Sequence, residues 1–455
     1  MIIEFRVKNF LSIKDEQVLS FEADSNTDYE KYFVTEIGGY RLLKVMGIYG
    51  ANASGKSNIL KALDKFLEIG LKSRYMGDNL ARTTFSFNSD YDRGNSQLGM
   101  DFLIEDSGKF IKYRYEIIYN VLDIVSEKLE YYPNSRPALV YERVQNIENP
   151  RGFDFKVPKS MKLKNADKDA IELNTLRNTS VLSSFSRINP IFPQAKKVYN
   201  YFSSYLKNTI KTNLSLKDES MNYFEKSYER RNILTELFQK ADFDISDVQI
   251  LNLRKMAEFG IYDHKKEYQA AMDSIMVKET SVFDQYLSLK YDIPKFETYF
   301  IHTYQENGEY KSGKLPLSSE SLGMVQFFGL AYPLIHALVH PSVLLIDEIE
   351  NSLHLEIVKY IIMIFLSNAT TSQMLFTTQN LLLLDGEIMR KDAIWFTQKQ
   401  KDGSTELYSL TDFTDLNRSN RNYLKSYLAG NFGAVPDIYQ FKLDLDSLKK
   451  SESKI

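Results

Sequence analysis

Residues 50–57 read Gly50-Ala51-Asn52-Ala53-Ser54-Gly55-Lys56-Ser57 and fit the pattern G-x-x-x-x-G-K-[ST] at every fixed position. That spacing suits one kind of chemistry. A triphosphate needs several backbone N–H groups aimed at it together, and a tight loop at a helix N-terminus supplies them. Gly50 and Gly55 allow the backbone path such a loop takes. Lys56 is placed to neutralise β- and γ-phosphate oxygens, and the Ser57 hydroxyl to ligand Mg²⁺. Asn52, Ala53, Ser54 and Asn58 lie on the same loop and helix start and join the nucleotide-binding set. The competing explanation is a glycine-rich turn with a chance Lys-Ser. The flanking elements decide between the two.

A second group stands some 290 residues downstream. Ser342-Val343-Leu344-Leu345-Ile346-Asp347-Glu348 is an apolar run ending in two carboxylates. The apolar residues suit a central strand, and ligands of parallel sheets bind at the carboxyl ends of strands. Asp347 is there to hold Mg²⁺, and Glu348, one residue on, to orient or deprotonate an attacking water. Upstream, Ser318-Ser319-Glu320-Ser321-Leu322-Gly323 opens a helix and offers N–H and hydroxyl donors to an anion; the same residues also make an ordinary N-cap. Downstream, Leu375-Phe376-Thr377-Thr378-Gln379-Asn380 closes an apolar strand. Gln379 there either senses a γ-phosphate or simply ends a strand, and the residues leave both open.

These side chains require an α/β scaffold. Leu43 to Tyr49 reads as a buried strand, and Ile59, Leu60, Leu63, Phe66 and Leu67 mark the apolar face of the helix that follows. Strand, loop and helix in that order are the context a phosphate loop needs. Residues 100–106, 109–119 and 125–132 show period-two patterning and predict an antiparallel meander. Residues 176–241 read as mainly helical. From residue 318 onward, helices at 320–340 and 353–367 alternate with strands, the pattern of a parallel sheet. The expected organisation is an N-terminal lobe at 1–143 and a mainly helical insertion with mixed strands at 144–315. A C-terminal lobe at 316–440 and a tail at 441–455 complete it.

Composition removes several functions. The chain of 455 residues contains no cysteine, so disulfides, thiolate metal sites and a Cys nucleophile are excluded. The net charge of −3, without a long basic run, gives no electrostatic argument for non-specific DNA binding. The opening MIIEFRVKNF carries charges where a secretion signal is apolar, and no apolar run approaches the ~20 residues of a membrane span, so a cytoplasmic location is expected. No heptad pattern persists beyond about two repeats, which argues against a long coiled-coil arm. His336 and His340 stand four apart but lack the Glu of H-E-x-x-H, and read as an ordinary helix face. Lys159, Lys162 and Lys164 read as a solvated loop, Phe85 and Phe87 as core, and Asp444-Leu445-Asp446 as a coincidental D-x-D.

The order of these motifs resembles the ABC-class ATPase head shared by the structural-maintenance-of-chromosomes, RecF and OLD families. It is most similar to the AAA-family ATP-binding proteins of phage-defence and abortive-infection operons, of the AbiL and PARIS AriA types. The resemblance rests on the opening IEFRVKNFLSIKD, on Glu320-Ser321-Leu322-Gly323 as the E-S-x-G signature, and on Asp347-Glu348-Ile349-Glu350-Asn351-Ser352-Leu353-His354 as Walker B with a D-loop. Arg390-Lys391-Asp392 and residues 427–436 resemble C-terminal blocks of the group. It covers both ends of the chain strongly and 150–300 weakly. It implies ATP and Mg²⁺ as ligands, Lys56, Glu348 and Gln379 as catalytic residues, and Ser321 and Gly323 as donors to a nucleotide held by another copy. A head-to-tail dimer or higher oligomer follows. So does an effector partner from the same operon (nuclease, Toprim or RloB-like), with DNA or a phage protein as trigger. Gln379 departs from the group's usual His; Gln donates a hydrogen bond but carries no charge, which implies slow turnover. The alternative is a RecF-like ATPase of DNA repair or DNA ends.

Overall fold

The strand Val45–Tyr49 is buried along its whole length, as a strand covered on both faces must be. In the computed structural model, which describes residues 1–75, 78–211, 216–253, 295–384, 388–413 and 423–433, it lies inside a six-stranded sheet. The order is Ile210–Lys211, Val343–Asp347, Gln373–Thr378, Val45–Tyr49, Ile394–Lys399, Thr405–Ser409. Every neighbouring pair is parallel except the last. Gln373–Thr378 thus separates the strand that feeds the phosphate loop from the strand that ends in Asp347. The tail 441–455, with Asp444 and Asp446, and residues 434–436 lie outside the described residues.

A second sheet is antiparallel and seven-stranded: Phe153–Lys156, Ala138–Gln145, Ile124–Tyr132, Lys109–Tyr119, Ser96–Asp106, Ile2–Lys8, Gln17–Ser20. The meander expected from period-two patterning forms its centre. The helix Lys56–Leu71 packs against strands of both sheets. Its Phe66 ring meets Phe5, Tyr115 and Phe202 with centroids 5.9, 5.5 and 5.4 Å apart. Gln373 ties the sheets directly. The Ile2 N–H donates to Gln373 Oε1 at 2.6 Å, and Gln373 Nε2 donates to the carbonyls of Ile2 (3.0 Å) and Leu43 (3.2 Å). The phosphate loop at the start of this helix is therefore held on a scaffold with aromatic packing below it and sheet on either side.

Between the lobes lie the helices Asn165–Asn174, Pro193–Ser204, Leu216–Phe224 and Tyr228–Lys240. An antiparallel sheet of Ile245–Asn252, Phe296–Glu306 and Glu309–Pro316 follows. The α/β architecture with a meander and a mainly helical insertion is the one expected. The helix Leu322–Val339, with mean hydropathy 1.6, is the one helix among the described residues long and apolar enough by composition to cross a membrane. Its apolarity has a plain origin in packing: Phe327, Phe328, Leu330, Ala331 and Leu334 are buried, and it lies along Leu216–Phe224. Pro333 sits inside it and cannot donate to the Gly329 carbonyl four residues back. The buried Ser220 hydroxyl donates to that carbonyl instead, at 3.1 Å.

Candidate functional site

The loop between Tyr49 and Lys56 has two left-handed residues, Ala53 at φ 60° and Gly55 at φ 106°. Alternation of this kind turns successive N–H groups to one side. Gly55 is also the point of closest approach, since a Cβ there would collide with the Thr405 side chain. Thr405 Oγ1 donates to the Ser54 carbonyl (2.9 Å), and Ser54 Oγ pairs with Thr397 Oγ1 (2.7 Å). Asn58 Nδ2 donates to Ser12 Oγ (2.7 Å), which also pairs with Thr405 Oγ1 (2.7 Å). The loop is thus buttressed by the first strand pair and by the last hairpin of the parallel sheet, while Asn52 and Ala53 stay exposed.

Lys56 is 7% exposed, and its Nζ donates to the carbonyls of Gly50 (2.7 Å) and Ala51 (2.9 Å). Burial lowers its pKa; Glu350, Glu348 and Asp347, in that order of strength, act against the lowering. Ser57 Oγ donates to Asp347 Oδ1 at 2.8 Å, and Thr377 Oγ1 donates to the same oxygen at 2.6 Å. The hydroxyl of the loop and the carboxylate two strands away therefore meet across the end of Gln373–Thr378. A hydroxyl and a carboxylate oxygen side by side are hard donors suited to Mg²⁺.

Glu348 follows in a left-handed turn, φ 53°. Its N–H donates to Thr377 Oγ1 (2.8 Å), and the next residue's N–H donates to the Thr377 carbonyl (3.1 Å). Gln379 is exposed at the end of the intervening strand, and its N–H donates to Glu350 Oε1 at 2.7 Å. The structure brings Lys56, Ser57, Asp347, Glu348 and Gln379 to one end of the parallel sheet.

Ser321 and Gly323 open the helix Leu322–Val339. Ser321 caps the helix Leu322–Val339, its Oγ accepting the Met324 N–H at 3.2 Å. Gly323 backs onto the turn after Glu348, where a Cβ would stand 2.7 Å from the Ser352 carbonyl. Among the described residues, the hydrogen bonds of loop 50–58 and those of Ser321 share no partner. Glu320 Oε1 accepts from His302 Nε2 at 2.7 Å, which ties the three-stranded sheet to this helix start. His354 caps Leu355–Asn368, its Nδ1 accepting the Glu356 N–H at 3.3 Å. Phe85 is core, but Phe87 is exposed and lies against Gly403. Lys159, Lys162 and Lys164 are exposed, and the His336 and His340 rings lie side by side, tilted by 50°, with centroids 4.9 Å apart.

The sequence reading passed over Glu350, Thr377, Thr397 and Thr405. For two of them a local signal exists. Glu350 is the third acid of Asp347-Glu348-Ile349-Glu350, and Thr377 breaks an otherwise apolar strand. Thr397 and Thr405 reach the loop from about 350 residues away, and nothing local marks them.

The model of a family described as "AAA domain, putative AbiEii toxin, Type IV TA system" matches residues 45–385. No curated protein matches the chain. Among solved structures, the SMC head domain from Thermotoga maritima is 14% identical, covering 90% of this chain and 98% of that one, with a TM-score of 0.37. The Smc head domain with an extended coiled coil bound to the C-terminal domain of ScpA, derived from Pyrococcus furiosus, is 15% identical, covering 90% and 97%, with a TM-score of 0.36. The family match spans the phosphate loop, the insertion, the two carboxylates and the strand that ends at Gln379, and the chain belongs to this AAA-domain family.

Proposed function

We propose that this protein is an ATPase of the ABC head type, that two copies close head-to-tail around ATP, and that closure and release govern a partner effector in antiphage defence. The observation that carries the reading is the meeting of Ser57 and Asp347 beside a buried Lys56. An alkyl ammonium buried against two carbonyls is available to exchange them for phosphate oxygens, gaining stronger charge-assisted bonds. Ser57 and Asp347 would hold Mg²⁺, whose charge would offset that of the β- and γ-phosphates. Glu348 takes the proton of the attacking water, and Gln379 donates to a γ-phosphate oxygen. Without the charge of a His, Gln379 makes turnover slow, as suits a switch.

Among the described residues Ser321 and loop 50–58 share no hydrogen-bond partner, which supports the dimer. In this reading the N–H and hydroxyl donors of Ser321 and Gly323 serve a triphosphate held by another copy. The family description names a two-component toxin–antitoxin system, which supports a role alongside a second protein.

The test is nucleotide binding. Wild-type protein with Mg²⁺ binds ATP, and Lys56→Ala weakens binding by about 10–100-fold, the worth of a charged hydrogen-bonding group. Equal affinity of the two proteins, measured by titration calorimetry, removes the loop from the account.

A further inference from the structure

Glu350 has no part in the chemistry above, yet three features of the site converge on it. Its Oε1 accepts the Gln379 N–H at 2.7 Å. Its carbonyl accepts the Leu353 N–H at 2.9 Å, closing the turn that carries Asn351 and Ser352. Among the carboxylates that act on Lys56, it acts most strongly. Its second oxygen, Oε2, is buried without a hydrogen-bond partner.

A structural tie alone accounts for the first contact. A Gln would accept one N–H equally well, without the desolvation of an unpaired carboxylate oxygen. What the tie requires is an acceptor that reaches from the turn 348–353 to the Gln379 N–H, which Glu350 supplies. The turn 348–353 is the one that Gly323 backs onto, so the signature helix, the turn and the end of Gln373–Thr378 form one contact chain.

We propose that Glu350 is a positioning residue, which locks the Gln379 end of its strand to the turn 348–353 so that the two move together when a second copy docks. This rests on the ATPase reading, and it makes Glu350 the link between the copy-to-copy surface and the γ-phosphate end of the site.

Three variants separate the possibilities. Glu350→Gln keeps the acceptor for Gln379; Glu350→Ala removes it; Glu350→Asp keeps the charge and shortens the reach. The expected result is a kcat lowered roughly 10- to 100-fold in E350A and E350D, as misplacement of a site group produces, with KM for ATP within about threefold of wild type. E350Q stays within about threefold of wild-type kcat. Hydrogen exchange at the Gln379 amide, read without nucleotide, is slow in wild type and E350Q and faster in E350A and E350D. Where E350A does not fold, E350D carries the test alone. Wild-type kcat or unchanged exchange in the shortened variants overturns the proposal, and so does an E350Q as impaired as E350A. Should the wild type itself not hydrolyse ATP, the ATPase reading fails, while the exchange measurement still judges the lock.

Discussion

Glu348 leaves its strand through a left-handed turn, φ 53°, a conformation that costs a non-glycine residue of order 1 kcal/mol. The turn is held by two bonds to Thr377, one to its hydroxyl and one to its carbonyl. Strain stored and over-determined at a strand end beside a phosphate loop marks a residue whose side-chain direction matters. Glu348→Gln keeps shape and backbone while removing the proposed base. The expected outcome is a kcat reduced by about 10²–10⁴, the usual worth of a positioned base, with ATP affinity preserved. Steady-state phosphate release and calorimetry on the same samples check it. Hydrolysis at the wild-type rate would assign the base elsewhere. The contrast with Lys56→Ala is the useful part, because one variant loses turnover and keeps ATP while the other loses ATP.

Elements carry these residues, and the signature helix shows how. Pro333 interrupts Leu322–Val339, and the buried Ser220 on Leu216–Phe224 satisfies the carbonyl that Pro333 leaves open. Ser220→Ala leaves that carbonyl without a donor and lowers stability by about 1–3 kcal/mol. In a Pro333→Ala background the restored N–H of residue 333 serves the same carbonyl, so the second substitution costs less. A double-mutant cycle by urea unfolding therefore gives a coupling energy; simple additivity would show that Ser220 does not replace the missing donor. The helix itself was legible, because an apolar run between a Ser–Gly start and His340-Pro341 has few other readings. So were the meander, by its period of two, and the alternating second half of the chain. The placement of Gln373–Thr378 between the two strands of the site was not legible, since strand order is settled by packing between distant segments. Ile210–Lys211 was equally hidden: two residues hold no periodicity, and only its partner Val343–Asp347 makes it a strand. For the site, Lys56, Ser57 and Asp347 could be read from spacing, whereas the threonines behind the loop could not.

On the scale of the whole molecule, the two sheets share the P-loop helix and the Gln373 bonds, so the phosphate loop and the carboxylates ride on one body. Ser321 and Gly323 open a helix that backs onto the turn 348–353 of the same body. The proposed closure of two copies makes a demanding prediction. Ser321→Asp retains a good N-cap side chain, so the helix start keeps its Met324 bond and the protein its fold. It also sets a negative charge where the partner's triphosphate would lie, a like-charge contact that opposes closure. S321D should bind ATP as wild type does yet remain monomeric with ATP in light scattering, and should hydrolyse it poorly. K56A should be inactive for the opposite reason, having lost the nucleotide while keeping the covering surface. Mixed together, they form dimers in which the intact loop of one chain faces the intact Ser321 of the other, and ATPase activity returns. Two inactive proteins that stay inactive on mixing, or an S321D that hydrolyses ATP alone at the wild-type rate, would place each site within a single chain.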